Sequence, residues 1–276
     1  MFSAKKTSVK IPCWSKRIPE MIMDKGGHYI YCIIGTRQER NFRAIGIDRT
    51  DVLTVSYDDL SMVVSHHPLT RVVISRDNMI AHEKVIERVM QEFDSVLPVR
   101  FGTIAANADG IRNLLDRRHR EFLSLLRYVE HKIELGVKGL WKNMATIYDE
   151  IVRENPAIEK AKKETAKQDS IKYLQGRRKV GMMVEKALLR KKEQEAKKIA
   201  DHFRKTAVDL KLNKTSGDEM FINAAFLVDR GREKEFDNLM EQVCQRCQER
   251  AIFRYAGPLP VFNFVNVVIN TEEWER

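Results

Sequence analysis

Two apolar stretches of this chain carry a proline where a buried strand should run. The first is "DSVLPVRFGT", residues 94–103, and the second is "GPLPVFNFV", residues 257–265. Proline has no amide proton to give to a sheet ladder, so it is confined to edge strands, strand ends and bulges. At an edge it also keeps stray chains from pairing. Both stretches share Leu-Pro-Val with a phenylalanine close behind, and each closes a run of strand and helix signals. The expectation is therefore two α+β halves whose proline-bearing strands lie at edges or bends near the seam between them. Arg100 sits inside the first stretch. Arginine is seldom fully buried unless paired, so it is expected to anchor the halves through an ion pair or a backbone carbonyl. The candidate inter-half or partner-binding positions are Pro98, Arg100, Phe101 and Gly102 in the first stretch. Tyr255, Pro258, Pro260 and Phe264 are their counterparts in the second.

The order of elements follows from periodicity. "HYIYCIIG" from His28 is rich in aromatic and β-branched residues and stops at Gly35, which reads as a strand. "FRAIGID" and "VLTVSYDDLSMVVSHHP" give two or three more. "NMIAHEKVIERVMQEF" has Ile80, Val85, Val89 and Phe93 at helical spacing, with Asp77 or Asn78 as the cap. "NADGIRNLLDRRHREFLSLLRYV" is a second helix with its own apolar face. Strands, helix, strand, helix predicts a ferredoxin-like α+β domain over 28–127, with its helices on one face of an antiparallel sheet. "VEHKIELGVKGLW" alternates as a strand, and strand, helix, strand recurs in "MFINAAFLVD", "GREKEFDNLMEQVCQRC" and "AIFRYAGPLPVFNFV". These form a C-terminal α+β domain over 128–276. Residues 1–27 are basic, lack a continuous apolar segment and read as a disordered extension rather than a secretory signal.

The net charge of +10 is concentrated in one place. Between Ala157 and Leu212 there are 17 Lys or Arg against 8 Asp or Glu, a net of +9. This segment belongs to a helical insertion over 145–212, rich in Ala, Lys, Glu, Gln and Leu, with weak breaks at Pro156 and Gly176. Its apolar positions Val184, Leu188, Ile199, Phe203 and Leu210 are interrupted around 191–195. That gap excludes a regular coiled coil and favours a helical hairpin lying on the second half.

Chemistry-bearing motifs are missing. There is no phosphate-binding glycine loop, no dinucleotide fingerprint, no nucleophile elbow and no paired-histidine metal helix. No catalytic residue, cofactor or metal ligand is expected. Cys244-x-x-Cys247 falls inside a helix, away from the positive helix start that a redox pair exploits. Four cysteines and no export signal point to a reducing, cytoplasmic setting. No run of about 18 apolar residues is present, so no membrane span is expected. The alternative function is a non-specific nucleic-acid-binding module built on the basic arm. The chain lacks the paired aromatics on which such a sheet stacks bases, so no specific nucleic acid is expected.

Seven blocks together resemble the gas vesicle protein F and L family: "HYIYCIIG", "SMVVSHHPL", "AHEKVIERVM", "SVLPVRFGTI", "VEHKIELGVKGLW", "INAAFLVDRGREKEFDNLM" and "YAGPLPVFNFV". The likeness runs from about Tyr29 to Val268 and leaves out the first 27 residues. The closing block departs from the family, where an aromatic or proline more often follows the glycine-proline pair. The resemblance implies a non-enzymatic role in nucleating or assembling the gas vesicle shell, in the cytoplasm or on the vesicle. It implies contacts with the small, very apolar wall protein and with other accessory proteins. It also implies an N-terminal ferredoxin-like domain and a C-terminal α+β domain with added helices.

Overall fold

A computed structural model describes residues 26–167 and 170–269. The expected extension lies outside the described residues up to position 25, and Gly27 already opens the first strand. The first sheet comprises β1 (Gly27–Ile34), β2 (Asn41–Arg43), β3 (Val52–Tyr57), β4 (Leu60–His67), β5 (Val96–Pro98) and β6 (Ile104–Ala105). Their order is β2-β3-β4-β1-β5, with β6 also against β1, and every pairing is antiparallel. Three helices accompany it: α1 (Arg76–Met90), α2 (Ala108–Arg117) and α3 (His119–Val129). Ser75, rather than Asp77 or Asn78, caps α1: its Oγ accepts from the Asn78 amide at 3.1 Å.

The ferredoxin-like arrangement expected of this half is not what it adopts. No helix separates β1 from the next strands, and the helices lie on opposite faces of the sheet. Every residue of β1 from Tyr29 to Ile34 is fully buried. A bulge between Ile30 and Cys32 adjusts the alternation. Tyr29, Tyr31, Cys32 and Ile34 then pack with Val85, Ile86 and Val89 of α1. Ile30 and Ile33 pack with Ile111, Leu114, Leu115 and Phe122 of α2 and α3. A strand apolar on both faces needs cover on both, and only a split of the helices supplies it.

The second sheet holds β7 (Lys132–Trp141), β8 (Ala207–Leu212), β9 (Met220–Asp229) and β10 (Ala251–Leu259), ordered β10-β7-β9-β8 and antiparallel throughout. Its helices are α4 (Met144–Glu154), α5 (Pro156–Thr165), α6 (Ser170–Phe203) and α7 (Glu233–Cys247). Strand, helices, two strands, helix, strand, with the first strand flanked by the third and last, is the ferredoxin-like topology. It therefore belongs to this half, and the basic arm is its enlarged first crossover.

The arm ends earlier than its composition indicates. Residues 207–212 form β8, because the ladder to β9 outweighs the helix preference of Ala, Lys and Leu. Pro156 does start a helix, at the first helical position where its missing amide proton is harmless. Gly176 breaks nothing. A Cβ there would meet the Thr165 side chain at 2.6 Å, so the glycine lets α5 and α6 touch. The apolar gap at 191–195 is filled by charge. Lys191 pairs with Glu150 at 3.0 Å and Glu154 at 2.9 Å. Glu195 accepts from Trp141 Nε1 and from Arg250, both at 2.7 Å. Arg250 also grips Glu150 through two hydrogen bonds of 2.6 and 2.8 Å. This network ties α4 and α6 to the end of β7 and the start of β10.

The Arg250 guanidinium, aided by Lys191, holds the Glu150 carboxyl down to about 2. A lowered carboxyl stabilises the fold above the unfolded value of 4.5 and loses that contribution as pH falls from there to about 2. Glu150→Gln is expected to cost ~1–3 kcal/mol at neutral pH, the range for a charge-assisted hydrogen bond. It should also flatten the acid limb of a stability curve measured by chemical denaturation. A variant as stable and as acid-sensitive as the parent would show that the network adds nothing.

Candidate interaction surface at the seam

Beyond β10 the chain does not stop at the second sheet. Residues 260–269 cross to the first half as a strap. Pro260 is buried just past the end of β10, and Val261, Val265 and Val267 enter the core formed by Ile30, Leu97, Val99 and Phe122. Val267 forms a parallel bridge with Val99. Leu227 of β9 joins the same core, so the second sheet contributes to the interior of the first half. The strap is pinned by Glu134 of β7, which is 3% exposed. Its carboxylate accepts from the Asn263 amide at 2.9 Å and from Asn263 Nδ2 at 2.6 Å. Asn263 Oδ1 accepts from Asn213 Nδ2 at 3.0 Å, and its carbonyl accepts from Lys211 Nζ at 3.2 Å. Burial raises the Glu134 pKa, and the Asn263 donors offset that only in part.

The first proline stretch lies where its chemistry requires. Pro98 ends the edge strand β5, opposite Cys32, and Val99 resumes the ladder by donating to the Tyr31 carbonyl at 2.9 Å. Arg100 is not the expected anchor. It is exposed, and among the described residues its guanidinium has no hydrogen-bond or ion-pair partner. The reason is the turn that follows. Gly102 takes φ +86°, which a side chain would disfavour, and the chain reverses toward β6, leaving Arg100 on the outside. The seam is held instead by Asp94 of the first half, which accepts from the His131 amide at 2.8 Å, and by the Asn263–Glu134 pair, which pins the strap to the second sheet.

The remaining candidates divide. Phe101 is half-buried, with its ring 5.6 Å from His82 and 6.1 Å from Tyr29. Phe264 lies on the strap against the first core. Tyr255 and Pro258 are on β10, where Pro258 precedes Leu259, the residue paired with Glu134. Tyr255 donates to Asp237 of α7 at 2.6 Å and stacks on Phe236, and Pro258 sits at the register break of the β10–β7 ladder. Their role is internal to the second half.

His82 organises the ground beneath the Phe101 turn. Its Nδ1 accepts from the Tyr29 hydroxyl at 2.8 Å, and its Nε2 donates to the Val99 carbonyl at 3.2 Å. The Tyr29 oxygen accepts from the Gly102 amide at 3.2 Å. This chain of bonds uses the neutral ring in a single tautomer. The His82 ring also lies 6.3 Å from Phe262 of the strap. His82 therefore lies at the seam.

Above this network is a surface hollow of about 540 Å³. Leu69, Arg71 and Ile74 line one wall, Arg100, Phe101 and Ile104 the other, and Ile269 closes one side. Leu69 is 58% exposed, Val73 70% and Ile74 71%. These residues connect β4 to α1. Sequence reading passed over them, although "RVVI" follows neither the strand nor the helix period, which marks apolar residues not committed to the core. Asp58, Asp59 and His119 bring three ligand-type atoms within 4.8 Å of one another. That group is already engaged in its own contacts, a hydrogen bond between His119 and Asp59 at 2.6 Å and an ion pair of Arg37 with Asp58 at 3.0 Å. Cys244 and Cys247 are half-buried in the last turns of α7, and burial raises both thiols.

Residues 27–266 match the family model described as gas vesicle synthesis protein GvpL/GvpF. The chain belongs to this family. Gas vesicle protein F of Dolichospermum flosaquae is 24% identical over 241 residues, covering 87% of this chain and 97% of its own length. Gas vesicle protein F1 of Halobacterium salinarum is 26% identical over 228 residues, covering 80% and 84%. The crystal structure of GvpF from Anabaena sp. PCC7120 superposes with a TM-score of 0.76 at 22% identity, over 88% of this chain and 100% of that one. That likeness is one of fold: mixed helix and antiparallel sheet.

Burial lowers the His82 pKa from 6.5 to about 4, outweighing its bond to the Val99 carbonyl. The unfolded chain therefore takes up a proton at this site before the folded one does. Stability at this position falls as pH drops from 6.5 toward 4, by ~3 kcal/mol over the whole window. His82→Gln keeps a donor and an acceptor but cannot titrate. The parent-minus-variant difference in unfolding free energy should shrink across that window, a subtraction that cancels the opposite trend of Glu134. A constant difference between pH 7 and pH 4 would contradict a buried neutral His82.

Proposed function

We propose that this chain acts as an accessory protein of gas vesicle assembly and docks an apolar gas vesicle protein, the wall protein foremost, on the hollow above His82. Other accessory proteins are the further partners, and the work is done in the cytoplasm or on the growing vesicle. The observation that carries the reading is the exposed Leu69, Val73 and Ile74 beside a rigid, aromatic-backed turn. Contiguous apolar surface of this kind marks interaction sites. The Phe101–Gly102 turn, held by Tyr29 and His82, supplies a pre-organised wall that loses little entropy on binding. Nucleation is a natural use for such a surface, since it would shield an apolar wall subunit until it joins the shell. No helix among the described residues is long and apolar enough to cross a membrane. The family is one of gas vesicle proteins rather than a known enzyme family.

Leu69→Asp with Ile74→Asp should leave the melting temperature near the parent's, because both side chains already face solvent. Capture of the co-expressed wall protein should weaken roughly tenfold or more, since burying one such side chain is worth ~1.5–3 kcal/mol. Undiminished capture by the double variant would move the docking surface elsewhere. Arg100→Ala is expected to leave stability unchanged, as an exposed cation with no partner among the described residues should.

A further inference from the structure

Docking at the hollow gives the basic arm no task. Its helix α6 packs into the second core through Val180, Met183, Val184, Ala187 and Leu188. The opposite face of the same helix is also apolar. Ile171, Leu174, Met182 and Leu189 are 54–74% exposed. Leu174 is about one turn from Ile171, Met182 about three turns, and Leu189 about two turns further, so the four lie along one line. That line is ~27 Å long at the helical rise. At its far end it meets a hollow of about 260 Å³, walled by Leu189 and Ala196 of α6 and by Leu212 of β8, which is itself exposed. Lys172, Lys179 and Lys186 recur at heptad spacing along one flank, with Arg190 beside them, and Arg178 falls on the line itself. All five are exposed, and among the described residues none has an ion pair. Between positions 171 and 190 the sequence sets only Glu185 against them and Arg177.

We propose that this line is a second docking site, and that its occupant is an acidic amphipathic helix of another protein. The occupant lays apolar side chains along Ile171, Leu174, Met182 and Leu189, sets Asp or Glu against Lys172, Lys179 and Lys186, and seats one large apolar side chain in the hollow beside Leu212. A single narrow line of apolar residues on a helix is the seam that a second helix fills. The cations decide the sign of that helix, because complementary charge steers a partner in and fixes its register. A second copy of this chain would bring the same cations face to face, and like charges in contact exclude partners. A bilayer surface prefers a broad apolar face with aromatic side chains, and this line is narrow and interrupted by Arg178 and Glu185. The site shares no residue with the hollow above His82 and stands whether or not that hollow binds.

The probe is a labelled synthetic peptide of about four heptads, with Leu at a and d and Glu at e and g. Its control has the same composition in scrambled order and presents no apolar face. Fluorescence anisotropy with the full chain at physiological salt should show the ordered peptide bound roughly tenfold or more tightly than the scramble. Leu174→Gln with Leu189→Gln keeps the charge and the helix preference, so the melting temperature should stay near the parent's while the ordered peptide loses its advantage. Lys179→Glu with Lys186→Glu should move the preference to a peptide with Lys at e and g. Equal binding of ordered and scrambled peptides would reduce the arm to plain attraction by a basic surface and overturn the proposal. So would ordered binding that survives both double variants. Binding to phosphatidylserine vesicles that Leu174→Gln with Leu189→Gln abolishes, without preference between the peptides, would make the line a membrane face and overturn it too. So would dimerisation of the chain lost in the same variant. Leu69→Asp with Ile74→Asp should leave peptide binding intact. If that variant removes it, the peptide sits above His82 and the second site falls, whereas loss of wall-protein capture alone leaves the second site in place.

Discussion

The buried hydrogen bonds between Glu134 and Asn263 govern how the two halves meet. A carboxylate that is 3% exposed would be costly to leave without donors. Asn263 meets it twice, and in doing so fixes the path of the strap. Val261, Val265 and Val267 then have one direction to go, into the core between the first sheet and its helices α2 and α3. The strap completes that core, and Leu227 fills it from the other side. The first half's interior is not closed without residues of the second.

The two prolines take their meaning from this strap. Pro98 leaves β5 short and at an edge, so no further strand of the first sheet continues beside it. The space is taken by Val267 of the strap, through its bridge to Val99. Pro260 marks the point where β10 gives up its ladder to β7 and the chain turns away. One proline keeps an edge open and the other releases the segment that covers it. The Phe101 turn, the His82 network and the hollow all sit on the Val99 side of this closure. The candidate surface is therefore as rigid as the seam beneath it.

Much of this was legible in the sequence, and all the misreadings but one share a cause. The prolines announced edges because their chemistry is local. The helices at 76–90 and 233–247 announced themselves by period. Which sheet face a helix covers is not a local property, so the ferredoxin-like topology was assigned to the wrong half. The cue was in β1, where Tyr29, Tyr31 and Cys32 leave no polar face. The arm's last residues read as helix because their own composition favours one, and only the ladder to β9 makes them a strand. Lys191 and Glu195 read only as a gap in the apolar pattern because their partners, Glu150, Trp141 and Arg250, come from other elements. Arg100 was misjudged for the opposite reason: Gly102, two residues on, already signalled a turn that would carry it outward. The Glu134–Asn263 pair spans 129 residues, and no pattern in the sequence marks it.

Calorimetric unfolding of the parent chain beside Asn263→Ala tests the coupling of the halves most directly. The parent should unfold in one transition whose calorimetric and van't Hoff enthalpies agree, as a single cooperative unit requires. Removing the Asn263 side chain leaves a buried carboxylate short of a donor, and the transition should shift down and broaden or split as the halves uncouple. Two resolved transitions in the parent, or a variant indistinguishable from it, would contradict the strap as the element that makes the halves one structure.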